Sequence, residues 1–137
     1  MRETDLQDVL AIESGATLAQ LKEELGRAWA SIRVAREDGG RAVGFILTWH
    51  VADEIHVLNI AVRRDCRRRG VGRALMQDLL TDARRRKMAC IFLEVRQSNE
   101  PAIALYRSHG FRSVRVRQRY YPDNEDALEM TLALGAV

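Results

Sequence analysis

The spacing of hydrophobic positions changes character along the chain. Between residues 4 and 26 it is helical. Leu6, Val9 and Leu10 share one helical stripe, with Thr4 placed to cap it and Gly15 to stop it. Leu18, Leu21 and Leu25 form a second stripe behind a capping box of Thr17 and Gln20. From Trp29 the period drops to two. "WASIRVARE" alternates, "DGGR" reads as a hairpin turn, and "AVGFILTWHV" returns as a strand. After the short turn "ADE", "IHVLNIAV" is apolar enough to be a central strand. Helical spacing resumes in "GVGRALMQDLLTDARRRK", where Val71, Leu75, Leu79 and Leu80 face inward and the closing cations suit the helix dipole. "CIFLEV" is the next strand. "NEPAIALYRSHG" is a short helix capped by Asn99, with Pro101 in its first turn and Gly110 at its end. "FRSVRVRQRYY" and "ALEMTLAL" are closing strands joined by "PDNED". This order predicts an α/β fold: a mixed sheet with helices on both faces.

Length and composition narrow the class. The 137 residues are 47% hydrophobic, which predicts one folded domain over 1–137 and argues against disorder. No apolar run approaches the roughly 20 residues of a membrane-spanning helix. The polar, acidic "MRETDLQDV" start does not read as a signal peptide. Cys66 and Cys90 have neither metal-ligand spacing nor a disulfide framework, so no metal is expected. A reducing, cytoplasmic setting is the expectation.

Charge is unevenly divided. Residues 61–119 carry sixteen Lys and Arg against five Asp and Glu, and the rest carries six against fourteen. The imbalance predicts an anionic partner on one side and a cationic one on the other. Its densest point is "RRDCRRRGVGRAL", six arginines and two glycines directly after the central strand. A nucleic-acid module would use such density, but it would interleave aromatics, and this loop has none. The glycine pattern fits neither a dinucleotide fingerprint, since Leu75 stands in the third glycine's place, nor a Walker loop. What remains is a loop whose glycines admit close backbone approach, at the start of a long helix whose free N–H groups bind anions. Arginines beside it can bond phosphate bidentately. The loop reads as a pyrophosphate cradle.

Arg67-x-x-Gly70-x-Gly72 resembles the Arg/Gln-x-x-Gly-x-Gly/Ala signature of the GNAT acetyltransferase superfamily. "LNIAV", "FLEVRQSNEPAIALYRSHGF" and "RYYPDNEDALEMTL" are similar to the bacterial ribosomal-protein-alanine N-acetyltransferases within it, over about residues 42–134. The resemblance implies the GNAT fold, with its usual first strand missing or truncated here, and acetyl-CoA as co-substrate. It also implies a basic protein N-terminus as acceptor, that of a ribosomal protein. An aromatic "FPWS"-type stretch of that subfamily is absent; "IESGATLAQ" stands there instead.

The same resemblance assigns roles. Ile60, Ala61 and Val62 would offer main-chain bonds to the pantetheine arm, with the Val62 N–H polarising the acetyl oxygen. Arg67, Arg68, Arg69, Gly70, Val71, Gly72 and Arg73 would hold the pyrophosphate. Asn99 would bond the pantetheine as well as cap its helix. Glu94 would be the general base, through water, and Tyr106 the general acid toward the departing thiolate. An α-amino group, with a pKa near 7.7–8.0, is about a quarter neutral at pH 7.4, so a modest base suffices for it. A lysine near 10.4 would be only about one part in a thousand neutral.

Plain structural readings stand beside these: a buried strand for 60–62, a salt bridge for Glu94, core packing for Tyr106. His56 is a substitute base. Acyl transfer through Cys66 or Cys90 is not expected, so direct attack in a ternary complex is. The alternatives are a GNAT enzyme for lysine side chains or small amines, and a basic nucleic-acid-binding module. The acidic groups expected on the acceptor side are Asp53, Glu54, Asp123, Glu125 and Asp126, with Tyr120 and Tyr121 packing on the peptide.

Overall fold

A computed structural model describes Glu23 and residues 26–134. The two helices expected between residues 4 and 26, and the question of a first strand, fall almost wholly outside the described residues; Glu23 itself is helical. From Ala30 the predicted order holds. Strands β1 (Ala30–Arg36), β2 (Ala42–Val51) and β3 (Glu54–Val62) precede helix α1 (Val71–Arg85). Strand β4 (Cys90–Arg96), helix α2 (Glu100–Ser108), and strands β5 (Arg112–Arg117) and β6 (Ala127–Ala133) complete the chain.

The six strands form one sheet in the order β1-β2-β3-β4-β6-β5. Every neighbouring pair is antiparallel except β3 and β4. The apolar β3 is indeed interior. Alternation along β4 buries Ile91, Leu93 and Val95 and leaves Phe92 and Glu94 half-buried on the other face. The buried set forms one core with Leu75, Met76, Leu79, Leu80 and Ala83 of α1 and Ile103 and Tyr106 of α2. Both described helices therefore cover the same face.

Two irregularities shape the site. The parallel β3–β4 pairing runs only from Glu54/Cys90 to Val57/Leu93, and beyond it the strands part. A bulge opposite Leu47 and Thr48 leaves Leu58 without a partner at the point where they part. The second irregularity lies between Ser113 and Arg115, where Val114 is passed over in the pairing with β6.

Gly44 on β2 fixes how closely α1 approaches. A Cβ there would lie 2.9 Å from Val71 Cγ1, 3.0 Å from the Ala61 carbonyl and 3.2 Å from Leu75 Cδ1. Only glycine lets the first turn of α1 sit this near the sheet. The far end of α1 is tied down by charge: Arg33 of β1 donates to Asp78 at 2.7 Å and also to Asp82.

Candidate active site

The gap between β3 and β4 opens on a cleft of about 1110 Å³. Its floor is the outer half of β3. Arg63 donates its N–H to the Val43 carbonyl, and the register sets Ala61 opposite Phe45. Antiparallel ladders alternate, so the main chain of Ala61 faces β2, while Ile60 and Val62 turn theirs toward the gap. The Val62 carbonyl accepts from Arg67 Nε at 3.2 Å, which anchors the arginine loop to the strand.

The loop delivers the start of α1 into this cleft. Gly70, with φ of 82°, supplies the left-handed turn that begins the helix. The first intrahelical bond is Ala74 N–H to the Gly70 carbonyl. No side chain caps the helix and no acid lies in its first turn. The N–H groups of Val71, Gly72 and Arg73 therefore have no acceptor within the helix, and with the dipole they form an anion site. A Cβ on Gly72 would be in van der Waals contact with Leu105 Cδ2 at 3.4 Å, whereas one on Gly70 would meet nothing within 4 Å, so the open side of the turn is at Gly70. Arg67, Arg68 and Arg73 line the cleft with these residues, while Arg69, exposed, does not. Asn99 lines it too and caps α2, its Oδ1 accepting from Ala102 N–H at 3.3 Å. The set fits a diphosphate ester: a positive helix end, a glycine turn and guanidiniums.

Tyr106 lies at the inner end of the cleft, only 4% exposed, with its ring 5.9 Å from that of Phe111. Burial, with a smaller contribution from Tyr121, pushes its phenol up to about 12. It stays protonated at neutral pH and has a proton to give. Core packing does not take Tyr106 away from the cleft: the ring is in the core and the residue borders the cleft.

Glu94 is not in this cleft. It borders a second cavity of about 550 Å³ on the opposite face of the sheet, with His56, Leu58, Phe92, Tyr120 and Tyr121. The Tyr120 hydroxyl donates to Glu94, and this bond holds that phenol's pKa above its ordinary value. Tyr121 is raised by its burial and then by Glu94. His56 sits 3.4 Å from Glu54 and against the Phe92 ring.

The acidic residues divide differently from the sequence expectation. Asp123 and Glu125 are occupied by Arg96, at 2.8 and 3.0 Å, and Glu125 also accepts the Ser98 N–H. Asp126 accepts the Arg119 N–H. Their charge fastens the 119–126 turn to the end of β4, where Arg96 stacks 4.1 Å over the Tyr121 ring. None of the three borders the cavity, and neither does Asp53. The carboxylates that line it are Glu54, Glu94 and Glu129. Glu129 escaped the sequence reading because only strand pairing places it opposite Glu94. Arg117, which reaches both, escaped it for the same reason.

Neither thiol is activated. Burial, and then Asp65, push Cys66 up; burial, and then Glu54 and Asp53, push Cys90 up. Among the described residues no cluster of His, Cys, Asp or Glu could hold a metal, and no helix is long and apolar enough to cross a membrane.

A family model described as "Acetyltransferase (GNAT) family" matches residues 4–111. The [Ribosomal protein bS18]-alanine N-acetyltransferase of Escherichia coli is 44% identical over 99 residues, covering 70% of this chain and 67% of its own. The enzyme of the same name from Salmonella typhimurium is 37% identical over 140 residues, covering 96% and 93%. The crystal structure of the Escherichia coli ribosomal-protein-S18-alanine N-acetyltransferase superposes with a TM-score of 0.92 at 34% identity, covering 100% of this chain and 92% of that one.

Proposed function

The chain belongs to the GNAT family of acetyltransferases, and from that premise we propose that it acetylates the α-amino group of a protein N-terminus, the alanine of a basic small-subunit ribosomal protein. One observation carries the reading. Residues 59–62 of β3 line the cleft with the open helix start, arginines and a protonated tyrosine, and residues 54 and 56–58 just before them line the acidic, aromatic cavity that Glu94 borders, the change coming where the β3–β4 pairing ends. A thioester fed from the first side meets an amine fed from the second. The relatives' names supply the acceptor class.

Acetyl-CoA, when bound, supplies the activated thioester. The open N–H groups of Val71, Gly72 and Arg73, with Arg67, Arg68 and Arg73 side chains, hold its pyrophosphate, and exposed Arg69 adds charge from outside. Ile60 and Val62 offer their main-chain groups to the pantetheine, with Asn99 beside them and Ala61 securing the strand to β2. The Val62 N–H polarises the acetyl carbonyl. Glu94 takes a proton from the acceptor ammonium through water. The neutral nitrogen then attacks the carbonyl carbon, the carbon–sulfur bond breaks, Tyr106 protonates the departing thiolate, and the second proton of the attacking nitrogen returns to the Tyr106 phenolate. Two protonated thiols and no activated one leave direct attack as the route.

The test is competitive. The enzyme is given acetyl-CoA and three acceptors: an alanine-initiated basic peptide, the same peptide with a blocked N-terminus and free lysines, and a polyamine. Mass spectrometry should place the acetyl group on the alanine nitrogen. Preference for the blocked peptide or the polyamine would sink the N-terminal assignment.

A further inference from the structure

The bulge at Val114 has a chemical consequence. From Ser113 the residues "SVRVR" alternate, and unbroken pairing from Arg112↔Thr131 would set Val114 opposite Glu129 and Val116 opposite Ala127. Passing over Val114 sets Arg115 opposite Glu129 and Arg117 opposite Ala127 instead. Bulges beside active sites commonly re-aim a side chain in this way. Here the re-aimed groups are two guanidiniums, and they are turned onto the face of Glu94.

Glu94 and Glu129 are direct cross-strand neighbours, an arrangement of like charges that is unfavourable by itself. Arg115 Nε holds Glu129 from one side at 3.1 Å. Arg117 reaches both acids, with Nη2 3.4 Å from Glu129 and Nε 3.8 Å from Glu94. Among the described residues it is the only guanidinium or ammonium bordering a cavity that three carboxylates line. It is also 41% exposed, and its looser contact is the one to Glu94. A half-exposed guanidinium with two carboxylate partners, lying 5.8 Å from the Tyr120 ring centroid, can release one acid at small cost, because such pairs are worth little in water.

We propose that Arg117 is an internal stand-in for the acceptor's ammonium group: it covers Glu94 while the cavity is empty and is held by Glu129 when a cationic N-terminus takes its place. The inference rests on the reading that this cavity receives the acceptor. It makes Arg117 a positioning residue and a competitor, and Glu129 the group that retains it during turnover. An acceptor that brings its own positive charge displaces Arg117 from Glu94; an uncharged nucleophile does not.

The experiment is steady-state kinetics at saturating acetyl-CoA with the alanine-initiated basic peptide. Removing the competitor in Arg117→Gln should lower KM for the peptide about two- to fivefold, the range of one exposed ion pair, with kcat changed by less than about twofold. Arg117→Lys should restore the wild-type KM. Glu129→Gln should raise KM, because Arg117 then has only Glu94 to bind. An unchanged or raised KM in Arg117→Gln, or a kcat loss at constant KM, overturns the proposal. If Arg117→Gln does not fold, Glu129→Gln decides alone, and an unchanged KM there overturns it. Glu94→Gln separates the two layers. Full activity in that variant defeats the reading of the site itself, whereas lost activity beside an unmoved Arg117→Gln KM defeats only the role of Arg117.

Discussion

Tyr106 combines a place in the core with a place on the cleft, where the proposed function gives it the role of acid. Its ring belongs to the core beside Phe111, so Tyr106→Phe keeps the packing and removes only the hydroxyl. A residue that merely packed would tolerate the change with little effect on rate. As the general acid, its loss should lower kcat by about 10²- to 10⁴-fold while CoA affinity, measured calorimetrically, stays the same. A phenol pushed up to about 12 also makes a pH prediction. The wild-type kcat should show no decline from Tyr106 deprotonation across the neutral and mildly alkaline range. Charged residues teach the opposite lesson. Asp123, Glu125 and Asp126 look like free acids in the sequence, and in the fold they are partnered by Arg96 and by the Ser98 and Arg119 N–H groups. A charge in a sequence carries no information about which partner the fold will give it.

At the scale of elements, periodicity located the described strands and helices closely, because each has one buried and one wetter side. β2 runs over the predicted "AVGFILTWHV" from end to end, and Asn99 caps α2 as its position implied. β5 is shorter than the apolar and aromatic run suggested, ending at Arg117, because Arg119 takes a positive φ of 53° and turns the chain. The docking of α1 was not visible, since a lone glycine inside a strand pattern does not say what approaches it. Gly44 is where α1 meets the sheet, and a methyl there collides with backbone and two side chains. Gly44→Ala should destabilise the fold by about 1–3 kcal/mol, as overpacking does, measured by denaturant unfolding. It should also weaken CoA binding, because the helix end that forms the anion site must move. Equal stability in the alanine variant would show that α1 shifts freely on the sheet.

Across the whole molecule, one network ties the sheet to α1 and makes stability depend on pH. His50 receives the Arg86 guanidinium at Nδ1, 3.1 Å away. Arginine can only donate, so Nδ1 accepts and Nε2 carries the proton toward Thr48 Oγ1 at 3.0 Å. Burial, then Arg86 and Arg33, lower the His50 pKa. A histidine with a depressed folded pKa stabilises the protein fully above its unfolded value, near 6.5, and loses that contribution as pH falls through the folded one. Melting temperature should therefore drop as pH is lowered from 7 through this window, and His50→Gln should flatten the drop. A slope unchanged in the variant would assign the acid sensitivity elsewhere. The sequence by itself determined the order of the described elements and the glycine-arginine loop that opens α1, because period, glycine placement and helix-start chemistry are local properties. Tertiary structure alone decided that β3 and β4 part beyond Val57, that Glu94 and Tyr106 border opposite faces of the sheet, and that a bulge turns Arg117 onto Glu94. Those facts depend on strand register, and register is set by pairing between segments far apart in the chain, where a one-residue slip reverses every side chain.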